Sequence, residues 1–234
     1  MRIFKALVAP LPPIIVVAAV LLLTAGLAGR AWVWLHAWVF LAVVAGLSMT
    51  GSAILAAARP ASFAVRQQGL VATKAKKQPL IDVLGVFLYL AFILAWFAFV
   101  ALDAARLRLL PAPGPAIAAG GLAAVVVGVA VAHVAIGQNP FAAPTIHDQS
   151  EGGQRVIDTG LYGVVRHPFY AGMLLFYVGA ALWLGSYAAA IGAVGFLIMT
   201  LARIVIEERY LRANLPGYGD YARRVTGRLI PYVL

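Results

Sequence analysis

Long apolar runs separated by short polar stretches dominate this chain. Six apolar segments can be drawn, at about 11–28, 36–58, 80–101, 115–137, 170–184 and 187–206. Most are long enough to cross roughly 30 Å of hydrocarbon as a helix. The fifth is short, and Gly185-Ser186 offers a tight turn into the sixth. That predicts a helical hairpin, either crossing the bilayer or buried partly against other helices. Alanine-rich spans are what close helix packing in lipid requires. The pattern therefore predicts an all-α fold, a multi-pass integral membrane helical bundle. It divides into a four-helix membrane region at 1–137 and a second region at 138–234. The second region holds the hairpin and two long polar segments, roughly 138–169 and the tail from about 207. Both carry turn chemistry, at Asn139-Pro140, Gly152-Gly153, Leu215-Pro216-Gly217 and Ile230-Pro231.

The beginning of the chain shares some features with a signal peptide, since Arg2 and Lys5 precede an apolar run that ends in small residues. Pro10, Pro12 and Pro13 interrupt its start, however, and the stretch that follows suits a span. It is read as a retained first helix.

Composition changes the picture in three ways. With 63% hydrophobic and 11% charged residues among 234, a soluble domain is excluded. The net charge of +10 would suit nucleic acid in a soluble protein, but here the basic residues flank the apolar spans. Fifteen of the 18 lie at the N-terminus, in the second and fourth connections and in the tail. The other three are Arg30, Arg106 and Arg108. Positive charge favours the cytoplasmic face, so both termini are expected to be cytoplasmic, as an even number of spans requires. The absence of cysteine excludes disulfides, thiolate catalysis and cysteine metal sites. The four histidines never pair at ligand spacing, and no metal is expected. An alanine-rich, cysteine-free composition is in keeping with a bacterial inner membrane.

Candidate chemistry sits in two elements. Arg166-His167-Pro168 lies where a polar loop becomes the fifth helix. Proline suits a first helical turn, and the free N–H groups and positive dipole end there would cradle a carboxylate. Arg203 and Glu207 are spaced i, i+4 on the last span and share a face, while Glu208 lies about 100° around. In isolation the first element reads equally well as a headgroup anchor, and the second as a surface ion pair. The hairpin brings the two ends together, and that favours a reaction centre.

In order and spacing these residues resemble the isoprenylcysteine carboxyl methyltransferase family and its phospholipid methyltransferase relatives. The resemblance runs through Asn139-Pro140-Phe141, Gln154-Arg155-Val156-Ile157, Gly160-Leu161-Tyr162, Arg166-His167-Pro168-Phe169-Tyr170 and Gly172. It continues through Arg203, Glu207-Glu208, Pro216-Gly217-Tyr218, Tyr221 and Leu229-Ile230-Pro231. The loop Lys76-Lys77-Gln78-Pro79-Leu80-Ile81-Asp82 adds a weaker likeness. Leu161 departs from the pattern, since many relatives have proline there. The resemblance implies an integral-membrane enzyme that uses S-adenosylmethionine, with a pocket roofed by 138–169 and the tail. Gln154, Arg155, Val156 and Ile157 would lie along the adenosine. Tyr162, His167, Pro168, Phe169 and Tyr170 would close around the cofactor, and Glu207 would take one of its groups. Arg203 would hold the acceptor, with Arg166 and Glu208 as further catalytic candidates. The acceptor would be a lipophilic small molecule or a lipidated substrate, and the other partners would be membrane lipids.

Other polar residues carry less. His133, within the fourth span, reads as one interhelical hydrogen bond. His36 belongs to an aromatic belt with Trp32, Trp34 and Trp38. His147 and Asp148 lie in the expected roof, and Asp103 with Arg106 reads as a surface pair. Two other functions compete: a membrane reductase of the sterol-reductase type using NADPH, and a small transporter or adaptor. The transporter would need polar residues at mid-membrane depth, whereas here they gather at the boundary.

Overall fold

Proline and glycine mark many of the helix boundaries. In the computed structural model, residues 1–29, 34–66, 80–141 and 154–231 are described. The basic cluster Lys74 to Lys77, the Gly152-Gly153 turn, Trp32, His147 and Asp148 lie outside them. Among the described residues, ten α-helices follow in order: α1 (Arg2–Val8), α2 (Leu11–Leu27), α3 (Leu35–Ala58), α4 (Pro60–Arg66), α5 (Leu80–Leu102), α6 (Pro115–Gln138), α7 (Pro168–Leu184), α8 (Tyr187–Gly192), α9 (Val194–Asn214) and α10 (Tyr218–Arg224). A π-helical turn, Asp103–Leu107, extends α5, and a 3₁₀ turn, Gly160–Gly163, precedes α7. Pro115 and Pro168 open their helices, where the missing N–H has no partner to lose. Gly185, at φ +98°, ends α7 in the left-handed conformation that favours glycine.

Each apolar segment expected from the sequence is helical. Among the described residues, Arg2–Leu27, Leu35–Ala58, Leu84–Leu107, Pro115–Gln138 and Tyr187–Asn214 are long and apolar enough to cross a membrane. The chain is a multi-pass helical membrane protein. With 17 residues, α7 is the shorter apolar helix, about 25 Å long at 1.5 Å per residue.

The expected turn at Gly185-Ser186 is present, but α7 packs most intimately on α6. A Cβ added at Gly128 would lie 2.5 Å from the Gly172 carbonyl oxygen, and one at Gly179 would lie 2.5 Å from that of Gly121. These two glycine pairs let the antiparallel backbones touch, the small-residue packing that lipid-embedded helices use. An aromatic core fills the space toward α3, α5 and α9. Tyr177 stacks on Phe196 with centroids 3.7 Å apart, and Phe40, Trp96, Phe97 and Phe176 surround them. Toward the opposite end of α6, Ala6, Leu55, Ala56, Phe63 and Ile136 cluster with Phe169 against them. The N-terminus and the start of α7 therefore share one end of the bundle.

Two expectations are revised. Asp103 is buried, not a surface residue, because the π-helical turn swings it inward. There it accepts hydrogen bonds from Ser186 Oγ (2.5 Å) and the Leu109 amide (2.9 Å). Ser186 in turn caps α8 by accepting from the Ala189 amide. His133 Nδ1 bonds the Val129 carbonyl of its own helix (2.9 Å), and its ring packs on Gly51 of α3. His36 keeps its aromatic setting, 4.7 Å between centroids from Trp183, whose indole donates to the His36 carbonyl.

Candidate functional site

Consecutive residues of a helix point about 100° apart, so Glu207 and Glu208 of α9 serve two separate clusters. Glu208 turns inward and is only 4% exposed. Its Oε1 accepts from Arg166 Nε at 2.7 Å and from His167 Nε2 at 3.2 Å. Arg228 Nε stands 3.6 Å from the same oxygen, and Arg212 Nη2 is 3.9 Å from Oε2. Three arginines and a histidine thus gather around one buried carboxylate.

Arg166 does more than pair with Glu208. Its Nη1 donates to the carbonyls of Val225 (2.6 Å), Thr226 (2.9 Å) and, more weakly, Ala222 (3.4 Å). These lie at and beyond the C-terminal end of α10, where carbonyls lack intrahelical partners, so the guanidinium caps that helix. The Arg166 and His167 amides donate to the Gly227 and Arg228 carbonyls, both at 2.9 Å. The N–H groups expected to stand open here are therefore used to dock the tail.

Glu207 faces the other way. The Tyr170 hydroxyl donates to Glu207 Oε2 (3.0 Å) and accepts from Arg203 Nε (2.9 Å). One phenol thus links the two residues that share a face of α9. The His167 and Tyr170 rings lie 5.8 Å apart between centroids, so the two clusters are adjacent.

The tail forms the roof. Tyr218, Tyr221, Ala222 and Val225 make a buried cluster against Val156, Leu211 and Leu215. Tyr221 donates to the Tyr162 carbonyl at 2.8 Å, and Arg224 pairs with Asp158 at the surface. Gly160, at φ +60°, rests on the Gln138 side chain, whose Oε1 accepts from the Leu161 amide. A Cβ there would press on the movable end of that side chain, and the left-handed φ is what favours glycine. Burial, then the nearby Glu208 and Glu207 carboxylates, push the Tyr218 phenol above its ordinary pKa; burial does the same for Tyr221. Both remain neutral donors at physiological pH.

Of the candidate residues, Arg166, His167 and Glu208 meet directly, and Tyr170, Glu207 and Arg203 form the second group. Val156 and Tyr162 reach the tail. Pro168 is buried at the start of α7, and Phe169 faces the N-terminal cluster. Gln154, Arg155 and Ile157 run beside Val156 in irregular chain, with Arg155 exposed. Sequence reasoning assigned no role to Tyr218, Arg212 or Arg228. The signal available was the i, i+3 pair Tyr218 and Tyr221, which puts both phenols on one face of a short helix. A cavity of about 730 Å³ lies at the other end of the bundle, by Trp34, Asp103 and Trp183, and touches none of these residues.

Residues 116–216 match the family model of the phospholipid methyltransferases. The match covers less than half of the chain, and over that segment the chain is similar to the phospholipid methyltransferases. The segment spans α6 to α9 and includes both carboxylates, while Arg228 and the tail carbonyls bound by Arg166 lie beyond it. Two curated relatives are similar over 70 residues. The nickel-cobalt-cadmium resistance protein NccN of Alcaligenes xylosoxydans xylosoxydans is 39% identical over 30% of this chain and 33% of its own length. The cobalt-zinc-cadmium resistance protein CzcN of Cupriavidus metallidurans is 36% identical over 30% of this chain and 32% of its own. The chain thus spans about a third of the length of either relative.

Proposed function

We propose that this protein is an integral-membrane methyltransferase that uses S-adenosylmethionine. Its acceptor is lipophilic or lipid-tailed, presents a carboxylate or an amine, and enters from the bilayer. One observation carries the reading: two charged clusters, built on Glu208 and Glu207 of the family-matched segment, converge at one end of a membrane bundle. Charges so placed are costly unless they serve a function.

The residues fit the cofactor, which carries an ammonium, a carboxylate and an adenine. The site offers carboxylates, an excess of guanidinium groups and aromatic surface. It also holds a buried Tyr218 hydroxyl without a hydrogen-bond partner among the described residues. When bound, the cofactor supplies an electrophilic methyl group on a sulfonium. Glu207 holds its cationic part, and Gln154 to Ile157 lie along the adenosine. Tyr162, His167, Pro168, Phe169 and Tyr170 close the pocket and exclude water. Arg203 orients the acceptor, and Tyr170 ties that arginine to Glu207, so both ligands are aligned through one hydroxyl. Arg166 and Glu208 hold the tail over the site. An acceptor that is already an anion needs no base, whereas an amine must lose its proton to His167 or a carboxylate.

We place the chemistry in 138–234, with 1–137 as its supporting wall. Both termini face the cytoplasm, as in a bacterial inner membrane, so the site opens to the soluble cofactor pool. Two relatives are named for metal resistance, but we assign no metal here. Among the described residues, no three His, Cys, Asp or Glu side chains converge.

Calorimetry on the purified protein tests this reading. It should bind S-adenosylmethionine and S-adenosylhomocysteine; heat only from NADPH would favour a reductase instead. Mass spectrometry of lipid extracts incubated with isotopically labelled cofactor would then identify the acceptor.

A further inference from the structure

Two donors at the roof of the site are buried without hydrogen-bond partners among the described residues: the Tyr218 hydroxyl and Arg228 Nε. Tyr218 is 4% exposed and sits on α10, in the cluster that packs against Val156, Leu211 and Leu215. Arg228 Nε faces Glu208 at 3.6 Å, too far for a hydrogen bond. A buried hydroxyl that bonds nothing lowers stability, and phenylalanine would fill the same space without that loss. Packing alone therefore does not explain a tyrosine here.

The surrounding charges indicate what the two donors await. Around Glu208 stand Arg166, Arg212 and Arg228, three guanidinium groups against the two carboxylates near Tyr218, Glu208 and Glu207, so a positive charge is left over. Arg166 is already committed, through Nε to Glu208 and through Nη1 to three carbonyls. His167 gives Nε2 to Glu208 and its amide to the tail. Among the buried donor atoms here, the two left without a hydrogen bond are one neutral O–H and one cationic N–H, a donor set suited to an anionic oxygen.

We propose that Tyr218 and Arg228 are cofactor-contacting residues that together bind the carboxylate of the methionyl part of S-adenosylmethionine. This rests on the cofactor reading above. It makes the C-terminal tail part of the binding site as well as its cover. Closure of the tail and recognition of the amino-acid end of the cofactor are then one event, because Arg166 anchors the segment that carries both donors.

The test compares S-adenosylmethionine with its decarboxylated form, which keeps the ammonium, sulfonium and adenosine and lacks only the carboxylate. Calorimetry and thermal unfolding are run on the full-length wild type, Tyr218→Phe and Arg228→Gln. The wild type should bind S-adenosylmethionine more tightly than the decarboxylated form. Each substitution should weaken S-adenosylmethionine by about tenfold or more, the range for one charge-assisted hydrogen bond, and leave the decarboxylated form unchanged. Tyr218→Phe should melt no lower than wild type, since it removes an unpaired buried hydroxyl. Equal losses for both ligands, or for neither, would overturn the assignment. Equal wild-type affinity for the two would overturn it while leaving the cofactor reading intact. Wild type that binds neither would remove both.

Discussion

Arg166 and Glu208, 42 positions apart in sequence, meet at 2.7 Å in a buried ion pair that joins the start of α7 to the end of α9. Because the same guanidinium caps α10, three parts of the chain converge on one side chain. Charges taken out of water must be fully paired, and here the tail carbonyls and His167 complete the pairing.

Arg166→Ala should therefore loosen the tail. Removing one partner of a buried pair costs about 3–5 kcal/mol, and the remaining cations near Glu208 place the loss at the low end. Thermal unfolding in detergent should show a clear drop, with faster hydrogen exchange at 215–231. Lost turnover with unchanged melting and exchange would make Arg166 a substrate contact instead of a clamp.

The Tyr170 bridge gives a second expectation. Glu207→Gln keeps size and removes charge, so cofactor affinity should fall roughly 10- to 150-fold, the worth of a charge-assisted contact. Arg203→Lys keeps a charge and loses the fork, so turnover should fall with cofactor affinity near normal. Tyr170→Phe should move both quantities, since its hydroxyl touches both residues. If all three variants lost only stability, the cluster would be structural.

Glycines of α6 offer a matched comparison. Gly128→Ala places a methyl 2.5 Å from the Gly172 carbonyl and should force α6 and α7 apart, costing about 1–3 kcal/mol. Gly120→Ala meets nothing within 4 Å and should be neutral or stabilising by up to about 1 kcal/mol. Similar melting temperatures for the two variants would refute the close backbone contact.

Topology is open to a direct check. Reporter fusions should place the N-terminus and the C-terminus both in the cytoplasm. A C-terminus reporting from the outer face would separate the pocket from the soluble cofactor and refute the mechanism.

The apolar spans and some of their ends were legible in the sequence, whereas α1, α4, α10 and the break between α8 and α9 were not. Apolar length sets a span, and Pro115, Pro168 and Gly185 act locally, through a missing N–H or a left-handed φ. The motif residues from Tyr162 to Glu208 were legible as well, because their order and spacing are linear properties. Only the tertiary structure decided which groups are spoken for. No local rule tells that Arg166 spends its donors on the carbonyls of Val225 and Thr226, or that Asp103 turns inward to Ser186. Nor does one tell that Glu207 meets Tyr170 on α7 while Glu208 meets Arg166 and His167 just ahead of it. Hydrogen bonds between segments tens of residues apart depend on how whole helices pack, and here that packing follows from the contact of four glycines on α6 and α7. Sequence spacing names the candidates for a site, while burial and pairing determine which of their atoms remain free to meet a ligand.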